Sequence, residues 1–452
     1  MKFKRMTLTN FRHLVHFDTT LDERLTVLVA RNGQGKTTLL DALAILLGSF
    51  VGTFDMGKGR HIERSDARYQ REGEEAEQEQ QYPVRIAAVL SDLEEGEVSV
   101  VRELTGPKNR TTVKDAAPLV QYGKALMLQV RGLQPVTLPL VSYYGTGRLW
   151  KTHKNLKRKA VLSESRTLGY EDCLTSASNY LQLQEWMGKA TMAVLQQQER
   201  KENGIGRLVG QLNAVLRAVD KVLEPEGWSD IHYSLTHEEL AMQQEGQGVL
   251  PVSLLSDGVR TMVSMVADMA WRCAKLNPHL GAEAASRTPG VVMIDEIDLH
   301  LHPAWQQRVV QSLQATFPEI QFIVTTHSPQ VLTTVPRECI RLLETQWDEN
   351  AHVWSLTSIE PDYQTLGVAS AETLSRIMGI DPVPEVVEAR MLHDYRRAIE
   401  LGDDQSPDAR TLRERLIAHF GEQHPEMLEC ERLRRFQAMK RRIKGRESSS
   451  DA

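Results

Sequence analysis

The stretch Leu25 to Asp41, LTVLVARNGQGKTTLLD, constrains this chain more than any other. Thr26 to Val29 is a short apolar and β-branched run, the composition of a buried parallel strand. Arg31 to Gly35 holds two glycines, and Lys36-Thr37-Thr38 opens a helix with apolar residues at Leu39, Leu40, Ala42, Leu43, Leu46 and Leu47. A strand, a glycine turn and a helix start in this order converge backbone N–H groups and the positive end of a helix on one point, which suits an anion. The spacing is that of a phosphate-binding loop, G-x-x-x-x-G-K-[ST]. There the lysine reaches the β and γ oxygens of a bound nucleotide and the next hydroxyl takes Mg2+. Lys36 and Thr37 occupy those places, and Asn32, Gly33, Gly35 and Thr38 complete the predicted cradle for ATP. Ala30 stands where the pattern begins with glycine; it is small, and it can leave a strand without positive φ.

A chain of 452 residues has room for two or three domains and a large core. The net charge of −6 gives no global electrostatic case for nucleic acid, so any such case must be local. Cys173, Cys273, Cys339 and Cys430 are far apart and share no C-x-x-C spacing. That argues against structural zinc and a disulfide framework, and it fits a reducing, cytoplasmic setting. No run approaches the ~20 apolar residues of a membrane span, so the expectation is a soluble protein with no membrane partner.

The expected fold class is α/β, with the head split by insertions. Lys2 to Leu8 and His16 to Thr20 read as an edge hairpin, and the acid-rich Arg60 to Gln81 as a flexible loop or solvated helix end. Tyr82 to Leu90, Glu97 to Leu104 and Leu138 to Tyr144 read as strands. Residues 1–150 form the first part of the head, 151–225 a helical insertion, and 226–362 the second part. A helical region at 363–446 and a disordered tail at 447–452 complete the expected organisation. In the second part we expect a strand at Ile231–Thr236, a helix at Gly258–Leu276, and a strand at Val291–Ile294. A helix at Ala304–Thr316 and strands at Gln321–Thr325 and Glu338–Leu343 follow.

Chemistry gathers in that second part. Val291-Val292-Met293-Ile294-Asp295-Glu296 is four apolar residues and then two acids, which a parallel strand aims into the crevice at its C-terminal end. Asp295 suits the Mg2+ shell and Glu296 the attacking water, as orienter or base. Phe322-Ile323-Val324-Thr325-Thr326-His327-Ser328 is a second such strand, and its histidine is placed to contact the γ-phosphate or the water. Leu254-Leu255-Ser256-Asp257-Gly258-Val259-Arg260 leads straight into a helix, with Ser256 suited to the N-cap. Glu296 and His327 are thus the predicted catalytic pair, and Thr37 and Asp295 the predicted metal ligands.

The segments ARNGQGKTT, LLSDGVR, VVMIDEIDLHLHP and VTTHS resemble, in order, the Walker A, signature, Walker B with D-loop, and switch histidine of ABC-type ATPase heads. The resemblance implies head-to-tail stacking of two heads, with Ser256 and Gly258 of one completing the ATP site of the other. Asp257 replaces a residue of the usual signature. The ~220 residues between Walker A and signature exceed ordinary loops. With Asn10-Phe11-Arg12 and the LHLHP turn, they resemble the OLD, RecF and SMC-like branch. LVSYYGTGRLW (140–150) and GYEDCL (169–174) are similar to the Septu anti-phage ATPase family PtuA and its retron-associated relatives.

That likeness implies a homodimer or higher even-numbered assembly and a separate HNH nuclease, PtuB. It also implies, in retron systems, a reverse transcriptase with its RNA/DNA product, so that nucleic acid is met through the complex. Arg148 follows a buried strand and a Gly-x-Gly turn and would reach phosphate or a neighbouring subunit. No acids on apolar strand ends follow His327, and Asp403-Asp404 lies in a polar loop, so no nuclease site is expected in this chain. The competing expectation is a RecF- or SMC-like repair ATPase that binds DNA directly.

Overall fold

The computed structural model describes residues 1–71, 78–93, 96–147, 165–175, 180–200, 206–348 and 353–450; Arg148 and residues 149–164 lie outside them. The chain divides into two units, Met1–Thr373 and Leu374–Ala452.

In the first unit β1 (Lys2–Phe11) and β2 (Leu14–Thr20) pair as a hairpin, and β3 (Leu25–Val29) leads to helix α1 (Lys36–Val51). Next come β4 (Arg68–Arg71), β5 (Gln78–Gln81), β6 (Val84–Leu93), β7 (Gly96–Leu104), α2 (Ala117–Arg131) and β8 (Leu140–Tyr144). Helices α3 (Tyr180–Arg200) and α4 (Gly206–Leu223) follow, then strands β9 (Trp228–Ser234), β10 (Glu239–Gln244) and β11 (Gly248–Pro251), and helix α5 (Asp257–Leu276). The unit closes its sheet with β12 (Gly290–Ile294), β13 (Ile320–Thr326), β14 (Ile340–Asp348) and β15 (Val353–Ile359).

The central sheet has the order β15-β14-β3-β13-β12-β8. Its strands are parallel except β15, which turns back on β14. Every residue of β3, β8, β12 and β13 is buried, as expected of parallel strands covered on both faces. The register sets Ile294 beside Val324 and Tyr144, and Thr326 beside Val29, so the C-terminal ends of four strands open into one crevice.

Several expectations need correction. β1 is no edge: it lies between β2 and β6 in a second sheet, β2-β1-β6-β7, whose alternating burial shows one face on the core. The Arg60–Gln81 stretch holds the β4–β5 hairpin, because polar strands still exchange backbone hydrogen bonds and Gln80 adds one to Tyr69 across the pair. The helix expected at Ala304–Thr316 is two, Pro303–Gln306 and Val309–Thr316, broken where Arg308 leaves helical geometry at φ −120°. After His327 the sheet gains two strands, not one, since β14 returns as β15.

Helix α5 runs through the interior. Its Asp268 accepts hydrogen bonds from Tyr144 Oη and Arg272 Nε, both at 2.7 Å on Oδ2. Arg272 also donates to the Gly169 and Glu171 carbonyls, so its buried charge is met by a carboxylate and two carbonyls. Helix α4 lays Ala214, Val215, Ala218, Val219 and Val222 inward at helical spacing and packs on α5.

The second unit is three helices, Val387–Leu401, Pro407–Phe420 and Pro425–Ser450, around Tyr395, Ile399, Ala409, Leu416, Met427 and Cys430. Its last helix continues through Ser450, into the stretch read as a tail; side chains beyond Lys440 lie outside the described residues. Among the described residues no helix is long and apolar enough to cross a membrane.

Candidate nucleotide site

The turn after β3 is built by its glycines. Gly33 (φ +81°) and Gly35 (φ +94°) adopt left-handed backbone that side chains resist, and Gly35 caps α1. Arg31 N–H donates to the Gln34 side chain at 2.9 Å, and Gln34 N–H to the Arg31 carbonyl at 3.4 Å, which closes the loop on itself. Asn32, Gly33 and Thr37 are exposed at its mouth, whereas Thr38 is buried. Lys36 is buried and donates to the Ala30 and Arg31 carbonyls at 3.0 and 3.3 Å. Burial lowers its pKa, against the opposing pull of Asp295, Glu296 and Asp298.

The acids arrive from the end of β12. Asp295 is buried and takes two hydroxyl hydrogen bonds, from Thr37 on Oδ2 and from Thr325 on Oδ1, each 2.7 Å. Its amide donates to the Tyr144 carbonyl of β8 at 2.8 Å. Thr325 in turn accepts from the Glu296 amide at 2.7 Å. Glu296 sits at φ +50°, a strain of about 1–3 kcal/mol that the surrounding contacts must over-determine. Beyond it Asp298 accepts from Thr326 Oγ1 at 2.5 Å, which ties the following turn to the end of β13. His327 leaves that same strand end. Burial and then Lys36 lower its pKa, while Asp298, Glu296 and Asp295 oppose them, so the imidazole shares one electrostatic cluster with the lysine and the acids.

The residues predicted for one subunit's half of the site are therefore together: Lys36, Thr37, Asp295, Glu296 and His327. Ser256 stands at the start of α5 and not on the strand ends or the glycine loop. It is exposed at the N-cap position of α5, and its side chain makes no cap hydrogen bond. Gly258 is buried, and a Cβ there would lie 2.5 Å from the His300 carbonyl. Among the described residues no hydrogen bond joins Ser256 or Gly258 to the glycine loop. Sequence reasoning missed Thr325, whose only signal was a hydroxyl two places before the histidine. It also missed the Arg12 contacts. That guanidinium spans Asp41 on α1 (2.8 Å) and Asp66 (3.0 Å), and Arg60 holds the other oxygen of Asp41 at 3.0 Å.

An "AAA domain" family model matches residues 5–224, and another, "AAA domain, putative AbiEii toxin, Type IV TA system", matches residues 191–333. The retron Vc95 probable ATPase of Vibrio cholerae serotype O1 biovar El Tor is 25% identical over 72% of this chain and 70% of its own length. The retron Ec83 probable ATPase of Escherichia coli is 36% identical over 40% of this chain. Septu protein PtuA of Bacillus mycoides (strain KBAB4) is 32% identical over 30%.

The chain has an α/β P-loop ATPase fold, and its sequence is similar to the retron and Septu ATPases. The matched stretches amount to 31% of the Ec83 protein and 18% of the Septu protein. Among solved structures, an SMC head bound to the C-terminal winged-helix domain of ScpA aligns at TM-score 0.47 and 16% identity, covering 80% of this chain and 98% of that one.

Proposed function

We propose that the chain binds and hydrolyses ATP with Mg2+ in a pair, or larger even set, of identical heads. In this reading it is the regulatory ATPase of a cytoplasmic anti-phage complex of the Septu or retron type, acting on a separately encoded HNH nuclease of the PtuB kind. The observation that carries the ATPase reading is the 2.7 Å contact of Thr37 with Asp295. A hydroxyl and a carboxylate, both hard oxygen donors, converge beside a lysine at the end of a glycine loop. That donor set fits Mg2+, which takes few protein ligands and fills the rest of its shell from phosphates and water. When bound, the ion would offset charge on the phosphate oxygens.

The chain's own groups supply the rest. Lys36, which donates to the loop's carbonyls, would turn from them to an incoming phosphate chain. The amides of Gly33 to Thr38 cradle the phosphates. Glu296, fixed through its amide by Thr325, orients the attacking water and accepts its proton, and His327 contacts the γ-phosphate. Ser256 stands exposed on a helix start with its side chain making no cap hydrogen bond, which fits action on the ATP of a second copy. The helical unit beyond Thr373 would dock the nuclease or a reverse transcriptase with its nucleic-acid product.

The test is Glu296→Gln. ATP binding should persist, and phosphate release should fall by about 100-fold or more, the usual contribution of a general base. Undiminished release from that variant overturns the assignment. Co-expression with an HNH partner, scored as nuclease activity with and without Lys36→Ala, tests the regulatory part; equal activity in both would refute it.

A further inference from the structure

The turn joining β1 to β2 carries backbone strain that the hairpin alone does not require. Asn10 (φ +50°) and Arg12 (φ +55°) are both left-handed without being glycine, and something must hold them there. Asn10 donates to the Pro83 carbonyl at 3.2 Å. Arg12 N–H donates to the Asp66 carbonyl at 2.6 Å, and its guanidinium bridges Asp66 and the α1 residue Asp41. The strained turn is thus bolted to the same helix that begins at Lys36.

The outcome of this fixing is the position of the next residue. His13 lies against the glycine loop: a Cβ built on Gly35 would meet its Cε1 and Nε2 atoms at 2.8 Å each. Burial and then Arg12 lower the pKa of the ring, with the Gln34 backbone opposing them. Across the loop, Leu356 of β15 approaches the same Gly35 position at 3.8 Å. His13 is nonetheless exposed, so it adds little to the buried core. Phe11 and Leu14, its near neighbours, are the buried residues that anchor the hairpin.

We propose that His13 is a positioning residue of the nucleotide site, holding the glycine loop at Gln34 and Gly35 in the shape that receives the triphosphate. The proposal rests on the ATP-site reading above and adds to it a residue outside the loop. Arg12, paired with Asp41 and Asp66, then serves to aim the imidazole. A loop already held in its receptive shape loses less conformational freedom when ligand arrives, so the effect belongs in affinity.

The experiment compares wild type, His13→Ala, His13→Gln and Lys36→Ala in the full chain. It measures fluorescent-ATP binding, KM and kcat for ATP, and thermal melting. We expect His13→Ala, which removes the ring lying against Gly35, to raise Kd and KM by about 5–10-fold, with kcat at saturation within about twofold. His13→Gln, which keeps a planar polar group of similar reach beside Gly35, should recover most of the affinity. All melting temperatures should agree. Wild-type affinity in His13→Ala overturns the proposal, as does an equal defect in His13→Gln accompanied by a lowered melting temperature, which would mark a merely structural role. If Lys36→Ala binds ATP as wild type does, the site reading fails and takes the proposal with it. If Lys36→Ala loses binding while His13→Ala keeps it, the proposal alone fails.

Discussion

Thr325 is the residue on which the acids of the site depend. Its single hydroxyl donates to Asp295 and accepts from the Glu296 amide, so it fixes one acid by its side chain and the other by its backbone. Thr325→Val keeps the shape of the side chain and removes both hydrogen bonds. Because the Asp295 oxygen and the Glu296 amide are then left short of partners, the loss should be about 1–3 kcal/mol of stability. Phosphate release should fall more steeply than ATP affinity, since the loop with Lys36 is untouched. A denaturant titration together with the kcat and KM of this variant checks both expectations. The importance of Thr325 was hidden in the sequence. Motif spacing records neighbours along a chain, as with Asp295 beside Glu296, whereas the reach of Thr325 comes from the parallel register of two strands thirty residues apart.

At the scale of elements, α5 joins the signature segment to the interior. Its Asp268 receives Tyr144 from β8 and Arg272 from its own next turn, and both Asp268 and Arg272 are almost wholly buried. Asp268→Ala would strand the Arg272 guanidinium among carbonyls without its carboxylate, at a cost of about 3–5 kcal/mol. The expected readout is a large drop in the unfolding midpoint with little change in the denaturant slope. A loss within about 1 kcal/mol, roughly twice the usual effect of a surface substitution, would show that the network is dispensable. Elements were legible where apolar runs were continuous: β3, β8, β12 and β13 stand within two residues of their expected bounds. β10, β11, β15 and α2 were not foreseen, and β4 with β5 was read as loop. Their residues are polar or mixed, and backbone pairing across a turn, not a run of buried side chains, makes most of them strands.

For the whole molecule, the division near Thr373 gives a direct prediction. A chain ending at Gly379 keeps all six strands of the central sheet and every contact of the nucleotide site. It should fold and bind ATP as the full chain does. If the three helices after it form the proposed docking unit, the shortened chain should lose co-purification with a co-expressed HNH nuclease. Unchanged co-purification would sink that role. The sequence marked this region by its helical period and high charge. The described contacts show where some of that charge goes: Arg434 pairs with Asp404 and Glu431, and Arg413 with Glu431, within the three-helix unit itself.

The place of β3 in the sheet has one more consequence, in the order of synthesis. The glycine loop is made within the first forty residues, yet both sheet neighbours of β3, the strands β13 and β14, come nearly three hundred residues later. Until they emerge from the ribosome the loop has no rigid strand to hang from, and Thr37 has no Asp295. Pairings so distant in sequence form late, after the loop-closure entropy has been overcome. An unfinished chain therefore cannot bring Thr37 to Asp295, and the crevice at the strand ends closes only when nearly all of the first unit has been translated.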